Sequence, residues 1–354
     1  MIKFGNDIVT VGGDWLKMPP VDPYNPLGLP PNTVRVRTRD GKVPFIGSSI
    51  YYQHATYESA TLVSGTTDVY DVYKSGTDFT SFLHNSSNVI EVLGANTTGI
   101  TNMTDMFNSL TRLTSLPLFD TSSVSNMSRM LRVCSKLTSV PLFDTSKVTN
   151  MQQMLYGCYG LTTVPLFDTS KVTNMQQMFD GCQGLLSVPL FDTSSVTNMR
   201  IMFGDCRALT TVQLFDTSSV TDMYEMFGNC RALTSVPLFD TSKVTNMMHM
   251  FQQCQALTSV PLLDTSNVTD MGGMFSRCSA LTTVPLLHTT KVTNMNDTFE
   301  NCYLVESGAL ALYQQASSQA NPPSSHSRAF YNCGRDTVTG AAELAQIPSS
   351  WSGA

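Results

Sequence analysis

From Val92 onward the chain returns to the same pattern every 24 residues, and no insertion disturbs the spacing. One column of aspartates shows it: Asp120, Asp144, Asp168, Asp192, Asp216, Asp240 and Asp264, with His288 in the next place. PLFDTSKVTNMQQM, residues 141–154, even recurs verbatim at 165–178. A period this strict means that each unit is one coil, unable to bury its own apolar face and stacked on its neighbours to do so. The 354 residues therefore build one elongated body rather than the two or three domains that length alone would give.

The unit reads V-P-L-F-D-T-S-x-V-T-N-M-x-x-M-F-x-x-C-x-x-L-T-x. Val140 and Leu142 alternate with Pro141, the period-two signal of a short strand with two inward side chains. Stacked coil on coil, such strands make a parallel sheet that stops at the proline, which has no N–H to give the ladder. Val148, Met151, Met154, Leu155, Cys158 and Leu161 follow at intervals of three and four, placing them on the inward face of a short helical turn. Asn150, replaced by Asp222 and Asp270 in two units, supplies a side-chain oxygen for an orphan N–H at the start of that turn. Asp144-Thr145-Ser146 has the residues of Asx and Ser/Thr turns, so it is expected to form the corner of the coil.

Subtracting one period from the first unit lands on Phe79, Phe82, Leu83 and Val89, with Asp78 in the Asn150 column. A degenerate half-coil is therefore expected from about residue 78. After Cys302, Ser307–Ala320 reads as a helix ended by Asn321-Pro322-Pro323, and Phe330-Tyr331-Asn332-Cys333 repeats the F-x-x-C spacing. These signals divide the chain into a Pro-rich β attachment module (1–60), an N-terminal cap (61–91), nine 24-residue repeats (92–307) and a C-terminal cap with one helix (308–354). The expected fold class is an α/β leucine-rich-repeat solenoid, each coil with a short parallel strand and a short helical turn, capped at both ends and preceded by the small β module.

The repeat resembles the BspA-type leucine-rich repeats, whose pattern DTSxVTxMxxMFxxCxxLT is matched over roughly residues 79–307 by DTSKVTNMQQMF and its copies. The resemblance implies a non-enzymatic solenoid of the kind found in bacterial surface proteins that adhere to host proteins or other cells; similar repeats look to be carried by bacteriophages of gut bacteria. The N-terminal MIKFGNDIVTVGGDW is not the basic-then-apolar signal of Sec export, and no wall-sorting motif or anchor follows the repeats. A virion protein needs neither, so a phage tail or other exposed virion component joins the bacterial cell surface as an expected location. Expected partners are a bacterial or host surface protein or glycan, and other virion proteins through the N-terminal module. A homo-oligomer is left open, and the alternative function is a purely structural virion component, a spacer or decoration protein that binds only other virion proteins.

Composition narrows the function. With 21 Lys plus Arg against 27 Asp plus Glu, net charge −6, the chain carries no footprint for nucleic acid. No stretch approaches the roughly 18 apolar residues of a membrane span. Eight cysteines stand 24 residues apart from Cys134 to Cys302, without the close pairs of a metal site, and Leu110 fills the same column in the first unit. The column is read as packing, with reduced thiols. The stacked aspartates are read as corner turns rather than a calcium ladder or a glycosidase pair, and the Met columns as core. The five histidines are scattered. No catalytic residue, metal site or cofactor is assigned.

Two sets of residues remain as a candidate binding surface. Phe143, Phe167, Phe191, Phe215 and Phe239 form an outward aromatic ridge if the strand alternation continues through them, and core if the chain turns early. The second set comes from columns that vary between units, between the methionines and beside the cysteine: Tyr159, Arg207, Tyr224, Arg231 and His249. Variation on an outer face costs little stability and is where recognition chemistry can be written.

Overall fold

Inward-facing Val34, Val36 and Val72 alternate with the half-buried charges of TVRVRT and VYDVY, and this pattern builds a sheet against the first coils. The computed structural model describes residues 22–44 and 55–353, together with the backbone of two short paired strands, β1 (Thr10–Val11) and β2 (Asp14–Trp15). Most of the Pro-rich segment before Val21, the export reading of the first fifteen residues, and His54 lie outside the described residues. Four further strands, β3 (Thr33–Thr38), β4 (Ser59–Leu62), β5 (Val69–Tyr73) and β6 (Val89–Asn96), form an antiparallel sheet in the order β4-β5-β3-β6. Arg35 pairs with Asp71 across β3 and β5 at 2.6 Å. The composition-based boundary at residue 60 falls inside β4, because this one sheet draws strands from both sides of it.

The remainder is a leucine-rich-repeat solenoid. Its coils pair in parallel at one column, Asp78, Asn102, Asn126, Asn150, Asn174, Asn198, Asp222, Asn246, Asp270 and Asn294, and finish on Ser325. The ladder then follows an unusual rule. The N–H groups of Met151, Gln153, Leu155 and Gly157 donate to Asn174, Gln176, Met178 and Asp180 in the next coil, at 2.7 to 3.1 Å. Those of Met154, Tyr156 and Cys158 donate to Met151, Gln153 and Leu155 in their own coil, at 3.1 to 3.2 Å. Successive amides thus face alternately outward to the next coil and back along the chain.

This corrects the expectation of a helical turn. Half the amides are committed between coils, so only three-residue turns close within a coil and no α-helix forms in the repeats among the described residues. The alternation needs left-handed residues at two columns, exemplified by Gln153 (φ 55°) and Gly157 (φ 69°). Met151, Met154, Leu155 and Cys158 still face inward, as the three-and-four spacing requires.

The second correction concerns Val140–Leu142, where no strand forms. The Phe143 N–H donates to the Pro141 carbonyl at 3.0 Å, as do its equivalents at Phe167, Phe215, Phe239 and Leu287. A bond between residues two apart is a γ-turn, which reverses the chain at its central residue. Leu142 is therefore thrown outward, 60% exposed, and Phe143 is turned into the core, 2% exposed. Phe143, Phe167, Phe191, Phe215 and Phe239, read as a candidate exposed ridge, are all buried. A second phenylalanine column, Phe179, Phe203, Phe227, Phe251, Phe275 and Phe299, stacks ring on ring at 5.1 to 5.7 Å, and Phe191, Phe215 and Phe239 lie against it at 6.0 Å.

Both ends are closed by coils that copy the ladder. Phe79, Ser81, Leu83 and Asn85 donate to the first full coil, and the rings of Phe79 and Phe82 stack at 4.5 Å over its core. At the other end, Met295, Asp297, Phe299 and Asn301 donate to Ser325, Ser327, Ala329 and Tyr331, so Phe330 and Cys333 occupy the Phe299 and Cys302 columns. The 31-residue step there accommodates α1 (Ala309–Ser317). Two short helices, α2 (Val338–Leu344) and α3 (Ser349–Ser352), follow, so the described residues of the cap hold three helices rather than the one expected, and Trp351 is laid against Phe330 and Tyr313. Gly340 packs with its α-carbon against the Val305 carbonyl, where a side chain would collide.

The γ-turn gives adjacent apolar residues opposite worth. Phe167→Ala is expected to cost about 3–5 kcal/mol and Leu166→Ala to stay within about 0.5 kcal/mol. Urea midpoints of the two variants against the parent chain check this, and comparable losses would contradict the inward-outward assignment.

Candidate recognition surfaces

The ladder decides which side chains of each coil reach solvent. Between the inward columns of Met151, Met154, Leu155 and Cys158 stand the outward or half-buried columns of Gln152, Gln153, Tyr156 and Tyr159. The variable residues singled out in the sequence belong to these columns. Tyr159 is exposed, its ring edge 3.6 Å from where a Cβ on Gly181 would stand. Arg207 and Arg231 are exposed at the same column of adjacent coils. Tyr224 and His249 are half-buried, and their rings meet edge to face at 6.1 Å.

Two clusters result. In the first, the Arg200 guanidinium lies 4.5 Å from the centre of the Tyr224 ring and pairs with Asp222 at 2.7 Å. The His249 ring completes it, lying over Gly273, which has no side chain to displace it. In the second, Asp205 accepts from Arg207 at 2.8 Å, from Gln183 at 2.8 Å and from Asn229, while Arg231 donates to Asn229 at 2.8 Å. Gly204 and Gly228 lie between the two columns without side chains, with Ile201 and Glu225 folded over them. The sequence marks Arg200 as one of the varying residues of the outer face without choosing it as a binding residue, and reads Asp222 only as a cap. Their signal was present, since Arg200 stands one coil before Tyr224 in a varying column.

Asp180 is an acid of this face whose ionisation is perturbed upward, and burial raises Asp297 as well. Burial, opposed by a hydrogen bond from Gln177, and the nearby Glu225 and Asp205 carboxylates push Asp180 up to about 6. The corner residues Asp144, Asp168, Asp216, Asp240 and Asp264 move the other way. Asp144 accepts from the Ser146 hydroxyl at 2.7 Å and the Ser146 N–H at 3.0 Å, and these bonds, with Lys147 nearby, hold its carboxyl below the ordinary value. Thr145 donates its hydroxyl to the Asp168 carbonyl of the next coil at 2.8 Å. Each Asp-Thr-Ser is thus a corner turn tied to its neighbour. Asn150 accepts from the Gln152 N–H at 3.0 Å, which is the capping role expected of its column.

All nine cysteines are free and buried. Cys158 donates its thiol to the Leu131 carbonyl at 3.3 Å, a bond repeated along the column, and burial pushes Cys158 up to about 12. Protonated thiols of this kind are fillers with a weak donor rather than nucleophiles. Among the described residues no group of three or more His, Cys, Asp or Glu is placed to hold a metal ion. No helix among them is long and apolar enough to cross a membrane. Where the sheet meets the first coils, a shallow groove of about 300 Å³ is lined by Arg39, Asp40, Lys42 and Arg112 among others, and an adjoining one of about 420 Å³ adds Lys136.

The family model described as "Mycoplasma protein of unknown function, DUF285" matches residues 77–185, 161–259 and 231–318, overlapping segments that run unbroken over most of the chain. The chain belongs to this family. No curated protein matches it significantly. Among solved structures, a leucine-rich repeat protein of T. pallidum is 21% identical over 53% of this chain and 85% of its own, with a TM-score of 0.39. One from Eubacterium ventriosum is 16% identical over 63% and 79%, with a TM-score of 0.27. An internalin of Listeria monocytogenes is 13% identical over 60% and 67%, with a TM-score of 0.24. Within this DUF285 chain the family match begins at residue 77, one residue before the ladder's first pairing at Asp78.

Two measurements probe this chemistry. Because Asp180 is raised in the fold, its neutral form favours the folded state below pH 3.8, and that contribution is lost as pH rises through about 6. Asp180→Asn should therefore raise the denaturation midpoint at pH 7–8 and leave it unchanged near the acid end of that window; an equal shift at both would contradict the assignment. In the native chain no thiol should react with a thiol-specific reagent, and all nine should react together once the repeats unfold.

Proposed function

We propose that this DUF285 chain is a non-catalytic adhesion or receptor-binding protein, displayed at a bacterial cell surface or on a phage virion. The observation that carries the reading is the concentration of variable side chains on the ladder face of a scaffold whose other columns scarcely change. Arg200, Asp222, Tyr224 and His249 join in one such cluster, and Asp205, Arg207, Asn229 and Arg231 in another. Tyrosine and arginine are the residues that most often anchor protein interfaces, and both stack on sugar rings or partner side chains. The partner class is a surface protein or glycan, met by repeated shallow contacts that gain strength through multivalency. Attachment through the N-terminal sheet to other virion proteins belongs to the virion form of the proposal.

Labelled protein titrated onto intact bacterial cells should bind saturably and be displaced by unlabelled protein. The variant Arg200→Ala/Tyr224→Ala/His249→Ala should lose at least tenfold in apparent affinity while keeping the circular dichroism spectrum and cooperative unfolding of the parent. Absence of saturable binding across host cells would remove the adhesion reading. Mass spectrometry of purified virions separates the two locations, since a virion component must be found in the particles.

A further inference from the structure

Each coil leaves one apolar side chain in solvent, at Leu142 and its equivalents, where the chain turns before the inward Phe143 column. Leu142, Leu166, Leu190, Leu214, Leu238 and Leu262 are 57–61% exposed, with Leu286 at 54% and Leu118 at 37% closing the row. The residue before each, proline in all but the Gln213 coil, is partly exposed as well. Half-exposed leucines in this number present roughly 300–600 Å² of apolar surface, the size at which a patch on a soluble protein marks an interaction site.

Neither folding nor duplication accounts for the row. A solvent-facing leucine adds little to stability, so the position is free to change, as the neighbouring ladder-face columns have: Gln152 becomes Gln176, Arg200, Tyr224, Met248 and Gly272 in successive coils. The leucine column passes through the same coils without one substitution from Leu118 to Leu286.

We propose that this ridge docks a second copy of the chain, forming a parallel two-fold dimer. The leucines stand one per coil, at the roughly 4.8 Å spacing of paired strands. A partner that fills the spaces between them must offer apolar groups at the same spacing over the length of several coils, and another copy does so without adjustment. The flanks choose the direction. On the side that follows the leucines lie the exposed carboxylates of Asp144, Asp168, Asp192, Asp216, Asp240 and Asp264; on the side that precedes them lie exposed hydroxyls such as Ser139, Thr163, Ser187 and Thr211. Packing two ridges about an axis along the solenoid sets each carboxylate row against the other copy's hydroxyls, which can donate to it. The antiparallel alternative sets carboxylate against carboxylate, which repels. Leucines, prolines and the two flanks together approach the roughly 800 Å² per partner of a standard stable interface.

The test is the mass of the full chain in solution at about 100 μM, above the micromolar limit of standard-size interfaces. The parent should run at twice 38.7 kDa, and Leu190→Glu/Leu214→Glu/Leu238→Glu at 38.7 kDa with an unchanged circular dichroism spectrum. Because these side chains face solvent, the variant retains its core; unfolding of the variant is controlled by Leu190→Ser/Leu214→Ser/Leu238→Ser, which should also be monomeric. Mixing Ser187→Cys with Asp192→Cys chains should give an oxidised cross-linked pair, and neither chain should cross-link alone. A monomeric parent overturns the proposal and leaves the ridge to a different protein. A dimer that survives the glutamates, or that cross-links through Asp192→Cys alone, overturns it as well. The Arg200→Ala/Tyr224→Ala/His249→Ala variant should remain a dimer, which keeps this result separate from the adhesion reading.

Discussion

Everything in the repeats follows from where alternate amides send their hydrogen bonds. Each coil gives the N–H groups of Met151, Gln153, Leu155 and Gly157 to its neighbour and keeps those of Met154, Tyr156 and Cys158 for itself. A segment that spends its donors in both directions can be neither an α-helix nor an ordinary strand. It needs left-handed residues at regular places, so Gln153, Gln177, Glu225 and His249 adopt positive φ although they are not glycines. Such residues are costly singly. They persist here because a coil that abandoned the geometry would strand amide and carbonyl groups on both sides of itself, each worth more than the strain.

The same ladder explains why the core is so repetitive. With the backbone register fixed at 24 residues, a side chain in one column always meets its own column in the next coil. Flat rings suit that condition, and the Phe179 to Phe299 column stacks nearly parallel. Thiols suit the tighter column beside it, where the Cys206 sulfur reaches the Phe179 carbonyl at 3.1 Å. Where no further coil follows, the condition lapses, and the column ends in Phe330 beneath Trp351.

How much of this was legible in the sequence depends on which bonds wrote it. The period, the inward Met, Cys and Leu columns, the half-coil at Asp78 and the F-x-x-C of Phe330–Cys333 are all statements about burial, and burial leaves a pattern of apolar letters. The ladder is different, because its bonds join residues 23 apart, and a three-and-four spacing looks the same whether a helix or a stack of turns produces it. The Leu142–Phe143 pair shows the limit most clearly. Two adjacent apolar residues cannot both alternate inward, and a single γ-turn bond between Phe143 and Pro141 decides which one does. Of the candidate site, the half selected for variability lies on the outer face, whereas the half selected for being aromatic and repeated lies in the core.

Repetition within a chain therefore has two meanings that only burial separates. Phe143, Val148 and Met151 repeat because the coil stacks on itself, and a coil with any of them missing would leave a void. Asp144 and Asn150 repeat because they satisfy turn amides, and their exposure is incidental. Leu142 has neither reason: it fills no cavity and accepts no bond, and in water an exposed leucine is a small liability to a chain of otherwise polar surface. A residue that is repeated, exposed and unneeded by its own fold is what the proposed dimer would use. The ladder face argues by the opposite sign, through letters that change where change is free. One scaffold thus carries two kinds of surface, one held constant at the spacing of the coils and one varied upon it, and at Leu142, Leu166, Leu214, Leu238 and Leu286 a γ-turn bond turns the constant one outward.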